Sequence, residues 1–141
     1  MKRVVITINR QYGSGGKTIG YMLAEKLGIP CYSREILQRA SEESGINESM
    51  FNERDERLKR LPKFLLSTNV YSGELLPPES KEFTSDQNLF NYEAEIIKKY
   101  AAEGSCVLIG RCADFVLKDD PDMISVYVHA DHDFQMKSAL E

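Results

Sequence analysis

Residues 3–28 read RVVITINRQYGSGGKTIGYMLAEKLG, and much of the predicted fold follows from them. Residues 3–8 form a short, β-branched and mostly apolar run, which is typical of a buried strand in a parallel sheet. Three glycines follow within four residues, and the apolar spacing of residues 19–27 then indicates an amphipathic helix. Gly28 is placed to cap that helix at its carboxyl end. The stretch therefore predicts a strand, a glycine-rich turn and a helix.

Strands and helices continue to alternate along the rest of the chain. Helices are expected after Ser33, with a pattern that fades near Gly45, and over residues 86–103. Short apolar runs predict three further strands, at residues 29–32, 106–110 and 123–129. Because strands alternate with helices, the sequence favours a three-layer α/β fold with a mainly parallel sheet.

The middle of the chain is less regular than its two ends. Residues 48–61 are charged and helix-prone, and we expect them on the surface. Residues 62–86 include Pro77 and Pro78 with several serines and threonines, which indicates a loop or a mobile flap. The sequence leaves open whether residues 48–86 form a homodimer interface or a flap over a ligand.

The composition is that of an ordinary globular protein of one domain. Of the 141 residues, 42% are hydrophobic and 28% charged, and no run of about 18 apolar residues predicts a membrane span. The first residues, MKRVVITINRQ, lack the apolar region of a signal peptide, so we expect a cytoplasmic protein. A net charge of −4 argues against nucleic acid or membrane as a partner. Three cysteines without a CxxC pair and two histidines predict neither a disulfide framework nor a zinc cluster.

The glycine turn, residues 13–18, has the residue types that bind phosphate. Glycines let consecutive backbone N–H groups point at one anion, and the helix that follows adds the positive end of its dipole. Lys17 would neutralise a β- or γ-phosphate, and the Thr18 hydroxyl would bind Mg²⁺. The alternative is a tight turn without a ligand, but three glycines followed by Lys-Thr favour phosphate.

The glycine turn matches the phosphate-loop pattern GxxxxGK[ST] imperfectly. The end of the pattern fits the GKT of this turn, but the first glycine then falls on Gln11. In a second alignment Arg10 takes the first glycine position, Gly15 the second and Gly16 that of the lysine. Lys17 is then displaced by one residue, which is about 100° around a helix. The sequence leaves both alignments open.

Three stretches of the chain together match the pattern of a known family. They are VVITINRQYGSGGKTIGYMLAEKLGIPCYSREIL at residues 4–37, GSCVLIGRCADFVL at residues 104–117 and ISVYVHA at residues 124–130. With its RxYGSGG turn and later GRCAD, the chain resembles the cytidylate kinase-like family. The resemblance implies one P-loop kinase-like domain over residues 1–141, with residues 48–86 as an insertion on the acceptor side. It also implies ATP as phosphoryl donor, Mg²⁺, and a nucleoside monophosphate as acceptor, CMP or dCMP first.

The resemblance also implies a set of site residues. The donor phosphates would be bound by the glycine turn, that is by Gly13, Ser14, Gly15, Gly16, Lys17 and Thr18. Ser33 falls where the family has a serine that contacts the acceptor nucleotide, and Arg111 falls where an arginine grips the acceptor phosphate. Lys17 and Arg111 are therefore the catalytic candidates. A guanidinium suits phosphate because it is a permanently charged, bidentate donor.

Each acceptor-side residue also has a purely structural interpretation. Arg111 could form a surface ion pair, and Ser33 could serve only as the N-cap of the following helix. Arg34 and Arg39 flank the expected acceptor helix and are further candidates for binding phosphate. Arginines at such positions are more often simple surface residues.

The family pattern is broken at Cys112, which stands where the family has the aspartate of a Gly-Arg-Asp motif. A thiol cannot replace a carboxylate as hydrogen-bond acceptor for a cytosine amino group, so the preference for cytosine is open. Asp114, two residues later, either compensates or is a solvated charge. Cys106 lies in a predicted buried strand and is expected to serve core packing.

Three functions are compatible with these residues. The first is phosphoryl transfer from ATP to a nucleoside monophosphate, a small-molecule partner. The second is a nucleotide-sensing module with the same fold and no turnover, since the family's arginine-bearing lid and its last strand are not found in the sequence after residue 129. The third is a kinase for another small acceptor, such as shikimate.

Overall fold

Strands and helices alternate in the computed structural model, which describes residues 2–11, 13–59 and 75–140. The strands are β1 (Val5–Arg10), β2 (Cys31–Tyr32), β3 (Cys106–Ile109) and β4 (Met123–Val128). The helices are α1 (Gly16–Leu27), α2 (Arg34–Ser44), α3 (Glu48–Lys59), α4 (Asp86–Glu103), α5 (Ala113–Val116) and α6 (His132–Leu140). The chain divides into a sheet unit, residues 1–33 with 97–141, and a helical unit, residues 34–96.

The sheet unit is built on four parallel strands in the order β2-β3-β1-β4. Val5 of β1 pairs with Cys106 of β3 on one side and with Met123 of β4 on the other. The chain leaves β1 towards β2, past β3, and leaves β3 towards β4, past β1, so the connections from these two neighbouring strands run in opposite directions. In open α/β sheets such a change of direction marks the crevice where ligands bind, beyond the carboxyl ends of the strands. The predicted α/β fold with a mainly parallel sheet is confirmed.

The core of the sheet unit lies between α1 and the two central strands. Its buried side chains are Ile6, Ile8, Ala24, Val107 and Ile109. The face of α1 that packs on the sheet carries two glycines and one alanine, at positions 16, 20 and 24. Helix α1 thus lies close to β1 and β3, and its first turn sits at their carboxyl ends.

The predicted helix boundaries are close to the observed ones. Helix α4 covers the predicted residues 86–103, and α1 ends at the predicted cap. Gly28 adopts a left-handed conformation, with φ of 68°, and its N–H donates to the carbonyls of Ala24 and Glu25. Only a residue without a Cβ atom adopts this conformation at little cost.

Three features of the sheet unit differ from the prediction. Strand β2 covers only Cys31–Tyr32 of the predicted residues 29–32. Strand β1 covers Val5–Arg10 rather than residues 3–8, because polar Asn9 and Arg10 pair with Tyr127 and Val128 of β4. Helix α6 was not predicted at all, since residues 132–140 show little separation of apolar and polar faces.

In the helical unit, α3 is confirmed as a helix over Glu48–Lys59, but its expected place on the surface is wrong for Phe51 and Arg54. Phe51 is fully buried, and Arg54 is 4% exposed. The Arg54 Nη1 lies 3.5 Å from a carboxylate oxygen of buried Glu93, and its Nε donates to the Asp86 carbonyl at 2.9 Å. A charged residue can therefore be buried here because it is paired and hydrogen-bonded.

The remaining predictions for the middle of the chain are tested only in part. Residues 60–74, which include most of the predicted loop, lie outside the described residues. Residues 75–85 form turns without helix or strand, as expected for the end of that loop. Among the described helices, none is long and apolar enough to cross a membrane.

Candidate functional site

The glycine turn connects the end of β1 to the start of α1 and has two glycines in the left-handed region. The φ angles are 76° for Gly13 and 83° for Gly15, which is also the N-cap of α1. Buried Ser14 supports the turn from inside, since its N–H donates to the Gln11 carbonyl and its Oγ accepts from the N–H of Gly16. Tyr12 lies outside the described residues.

The turn and the start of α1 together present backbone N–H groups that can donate hydrogen bonds to a ligand. Within the described residues, the N–H groups of Gly13 and Gly15 form no hydrogen bond. The first N–H groups of α1 have no partner within the helix, and they carry the positive end of its dipole. Lys17 and Thr18, in the first turn of α1, are exposed. This arrangement of donors is suited to an anion with several oxygens, such as a polyphosphate.

The carboxyl end of β4 and helix α6 hold the turn on its other side. The Gln11 N–H donates to the Val128 carbonyl at 3.0 Å, and its Oε1 accepts from Nε2 of Gln135 at 3.0 Å. Gly13 packs directly against the backbone carbonyl of Gln135, where any Cβ atom would collide. These contacts were missed in the sequence because polar glutamines give no periodic signal. They fix the turn relative to the sheet.

The end of β3 carries the predicted phosphate-binding arginine in an unusual backbone conformation. Gly110, Arg111 and Cys112 have φ angles of 72°, 60° and 58°, all in the left-handed region. For a residue other than glycine this costs on the order of 1 kcal/mol or more, and such strain concentrates at functional sites. The Gly110 N–H donates to the Ile8 carbonyl at 2.9 Å, so Arg111 emerges next to the end of β1.

Arg10, which sequence reasoning assigned no role, lies between the glycine turn and the end of β3. A Cβ atom added to Gly16 would lie 2.6 Å from Cβ of Arg10, and one added to Gly110 would lie 3.0 Å from its Nη1. The Arg10 side chain therefore runs from the start of α1 to the end of β3. No sequence signal marks it, because the phosphate-loop pattern expects a glycine at this position.

Ser33 is also at the carboxyl edge of the sheet, directly after β2. It is buried, with 9% of its surface exposed, and it immediately precedes α2. Since β2 pairs with β3 in parallel, the ends of β2, β3 and β1 lie side by side. The structure thus brings Ser33, Arg111 and the glycine turn to one edge of one sheet.

The other acceptor-side candidates are placed differently. Asp114 is partly exposed on the short helix α5, just after Arg111 and Cys112. Arg34 and Arg39 belong to the helical unit and pair with acids there, Arg34 with Glu48 at 3.6 Å and Arg39 with Glu43 at 3.3 Å. Their assignment to phosphate remains a prediction.

Two further observations concern metal binding and cysteine reactivity in the described part of the chain. Within residues 2–11, 13–59 and 75–140, no three His, Cys, Asp or Glu side chains come together to bind a metal ion. Cys106, within β3, is 1% exposed, and burial raises the pKa of its thiol to about 11. This cysteine is a core residue, as predicted, and a reactive thiolate is not formed there at neutral pH.

Comparisons with known proteins agree with this architecture. The model of the cytidylate kinase-like family matches residues 5–141. A crystal structure of an uncharacterized protein from Eubacterium ventriosum is similar, with a TM-score of 0.60 and 26% sequence identity over 96% of this chain. The chain spans 59% of the length of that protein. No curated protein matches the sequence.

Proposed function

The chain belongs to the cytidylate kinase-like family, and from this premise we propose that it transfers the γ-phosphoryl group of ATP to a nucleoside monophosphate, CMP or dCMP first. The observation that carries the proposal is that the two features we expect to bind phosphate follow neighbouring parallel strands. The glycine turn follows β1, and Arg111 follows β3. Two polyanions bound at these strand ends would meet at the crevice between them.

Phosphoryl transfer makes few chemical demands on the protein. An oxygen of the acceptor phosphate attacks the γ-phosphorus, a new P–O bond forms, and the bond to the β-phosphate oxygen breaks, giving ADP and a nucleoside diphosphate. The protein must hold both reactants in line and stabilise the charge on the transferred group. The N–H groups of the turn and the cationic residues Lys17 and Arg111 suit this task. Ser33, at the end of β2, would orient the acceptor nucleotide.

The residues at this edge also fit a magnesium ion that arrives with the donor. The exposed Thr18 hydroxyl, in the first turn of α1, is the side chain that would hold it together with phosphate oxygens. When bound, Mg²⁺ neutralises charge on the β- and γ-phosphates. The absence of an acidic cluster among the described residues fits a metal that is bound mainly through the nucleotide.

The test is a phosphoryl-transfer assay with ATP, Mg²⁺ and a panel of acceptors: CMP, dCMP, UMP, AMP, GMP and shikimate. We expect ADP to form with nucleoside monophosphates and fastest with CMP or dCMP. Arg111→Ala removes a charged hydrogen-bond donor and should lower kcat/KM by roughly 10- to 100-fold. Lys118→Ala removes an exposed cation outside the site and serves as the matched control.

The alternative functions give different results in the same assay. ATP binding without turnover on any acceptor would favour a nucleotide-sensing module, for which the replacement of the family's aspartate by Cys112 is the supporting observation. Turnover with shikimate but with none of the nucleotides would assign the protein to kinases of other small acceptors. Equal activity in Arg111→Ala and Lys118→Ala would contradict the role of Arg111.

A further inference from the structure

The glycine turn carries no side chain at the position where the phosphate-loop pattern places its lysine. Strand β1 ends at Arg10, and Gly15 is the last residue before α1. These two residues are five apart, as are the two glycines of the pattern GxxxxGK[ST]. The structure therefore favours the alignment in which Gly16 takes the lysine position. Lys17 is one residue further, about 100° around the helix from the face that packs on the sheet.

The space that a side chain at position 16 would need is filled by Arg10. A Cβ atom at Gly16 would lie 2.6 Å from Cβ of Arg10, which is closer than real Cβ atoms come, and 3.1 Å from its Cδ, which is a tight contact. The aliphatic stem of Arg10 thus covers Gly16. Relative to the pattern, positions 10 and 16 have exchanged the residue with a long cationic side chain. The pattern has glycine at the first of these positions and lysine at the second, whereas this chain has Arg10 and Gly16.

The guanidinium of Arg10 lies where the two phosphate-binding features meet. Its Nη1 would be 3.0 Å from a Cβ atom at Gly110, so it reaches the residue that precedes Arg111. Arg10 is exposed, and among the described residues its side chain forms no hydrogen bond or ion pair. A permanent cation is thereby presented at the crevice between β1 and β3.

We propose that Arg10 supplies the positive charge that the phosphate loop normally obtains from its lysine, and that it binds the β- and γ-phosphate oxygens of the donor nucleotide. This inference rests on the proposed function. A guanidinium presents two parallel N–H donors to phosphate and keeps its charge at all relevant pH values. Because it lies beside Gly110, Arg10 also neutralises the charge of the γ-phosphoryl group as this group passes from donor to acceptor.

The first experiment measures ATP–Mg²⁺ affinity by isothermal titration calorimetry for the full chain and three variants. Arg10→Gln should weaken binding by roughly 10- to 100-fold, as expected for the loss of hydrogen bonds to a charged ligand. Arg10→Lys should recover only part of the affinity, because a lysine keeps the charge but loses the two parallel N–H donors. Lys26→Gln, at the far end of α1, is the matched control and should bind like the unaltered protein.

The outcomes separate this inference from the proposed function. If the unaltered protein does not bind ATP, the proposed function fails and the inference fails with it. If the unaltered protein binds ATP and Arg10→Gln lowers the ATP affinity less than fivefold, the proposed function stands and the inference is wrong. If Lys17→Gln lowers the ATP affinity tenfold or more and Arg10→Gln leaves it unchanged, Lys17 and not Arg10 supplies the charge.

A charge swap keeps the test valid if Arg10→Gln proves unstable. Gly16→Lys alone should lower the melting temperature, because the new Cβ atom collides with the Arg10 stem. Arg10→Gly combined with Gly16→Lys removes the collision and rebuilds the usual pattern, so both melting temperature and ATP affinity should recover. A double variant that is as unstable as Gly16→Lys, or that binds ATP no better than Arg10→Gln, would overturn the inference.

Discussion

Gly20 sets how closely α1 approaches the sheet. A Cβ atom at this position would lie 2.8 Å from Cδ1 of Ile109 and 3.1 Å from Cδ1 of Ile8. A larger residue would push the helix away from β1 and β3. Because the glycine turn leads directly into α1, the same glycine keeps the turn at the edge of the sheet.

The three cysteines differ in exposure, and this predicts their reactivity. Cys106 is buried and the pKa of its thiol is raised by burial to about 11, whereas Cys112 is exposed after β3. At pH 8, iodoacetamide should modify Cys112 in the folded protein and should reach Cys106 only after unfolding in denaturant. Peptide mass spectrometry identifies the modified residue. Modification of Cys106 at a comparable rate in the folded protein would contradict its burial.

Individual residues of the site were predicted unevenly, for a physical reason. The glycines of the turn have a local signature, since a tight turn needs glycine, and Arg111 was predicted because the GRCAD stretch after β3 resembles the family. Arg10 has none, because its position over Gly16 and beside Gly110 arises only when β1, α1 and β3 are packed together. A sequence pattern cannot show that two positions have exchanged roles.

Arg3 connects three elements of the sheet unit. Its guanidinium donates to Asp120 at 2.7 Å and to Asp122 at 3.0 Å, just before β4, and to the Ala101 carbonyl in the last turns of α4. Arg3 itself lies two residues before β1. The cluster therefore fixes the amino ends of two neighbouring strands at the side of the sheet opposite the site.

This cluster predicts how stability depends on pH. The Arg3 guanidinium holds the pKa of Asp120 below its ordinary value. A carboxyl group with a lowered pKa in the folded state stabilises the fold above its unfolded pKa of about 4, and this stabilisation is lost as pH falls through the folded value. Asp120→Asn should therefore lower the free energy of unfolding at pH 7 by about 1 kcal/mol, since the pair is partly exposed.

The measurement is urea unfolding at pH 7 and at successively lower pH. The difference between the unaltered protein and Asp120→Asn should begin to shrink below about pH 4 and should disappear only below the lowered pKa of the folded Asp120 carboxyl, where both proteins carry a neutral group at this position. Asp119→Asn, the exposed neighbour, should have little effect at either pH. An effect of Asp120→Asn that does not change with pH would show that the ion pair with Arg3 is not its cause.

Elements with strong periodicity were predicted well, and residues that belong to an element only through long-range pairing were not. The apolar spacing of α4 gave both of its ends, because burial of one face leaves a regular pattern. The last residues of β1 are polar and belong to the strand only through pairing with β4. Phe51 and Arg54 are buried in the helical unit although α3 is rich in charges. The burial of Arg54 could not be predicted locally, because its partners, Glu93 and the Asp86 carbonyl, lie on α4.

In the whole molecule, the sheet unit and the helical unit carry different numbers of candidate-site residues. The sheet unit by itself carries the glycine turn, Arg10, Ser33 and Arg111. The helical unit carries Arg34 and Arg39 and has its own buried ion pair. Sequence reasoning predicted the parallel sheet and the edge that carries the site, because both follow from the order of strands and helices. The roles of residues 48–86, as homodimer interface or acceptor-side flap, stay predictions.

Amide NMR shows directly whether the glycine turn binds the phosphates of ATP. During a titration with ATP–Mg²⁺, the N–H signals of Gly13 and Gly15 should shift strongly. Those of Gly28, at the far end of α1, and of Gly45, after α2, should stay near their starting positions. ATP binding that leaves the signals of Gly13 and Gly15 unshifted, or no binding at all, would show that the turn does not bind these phosphates.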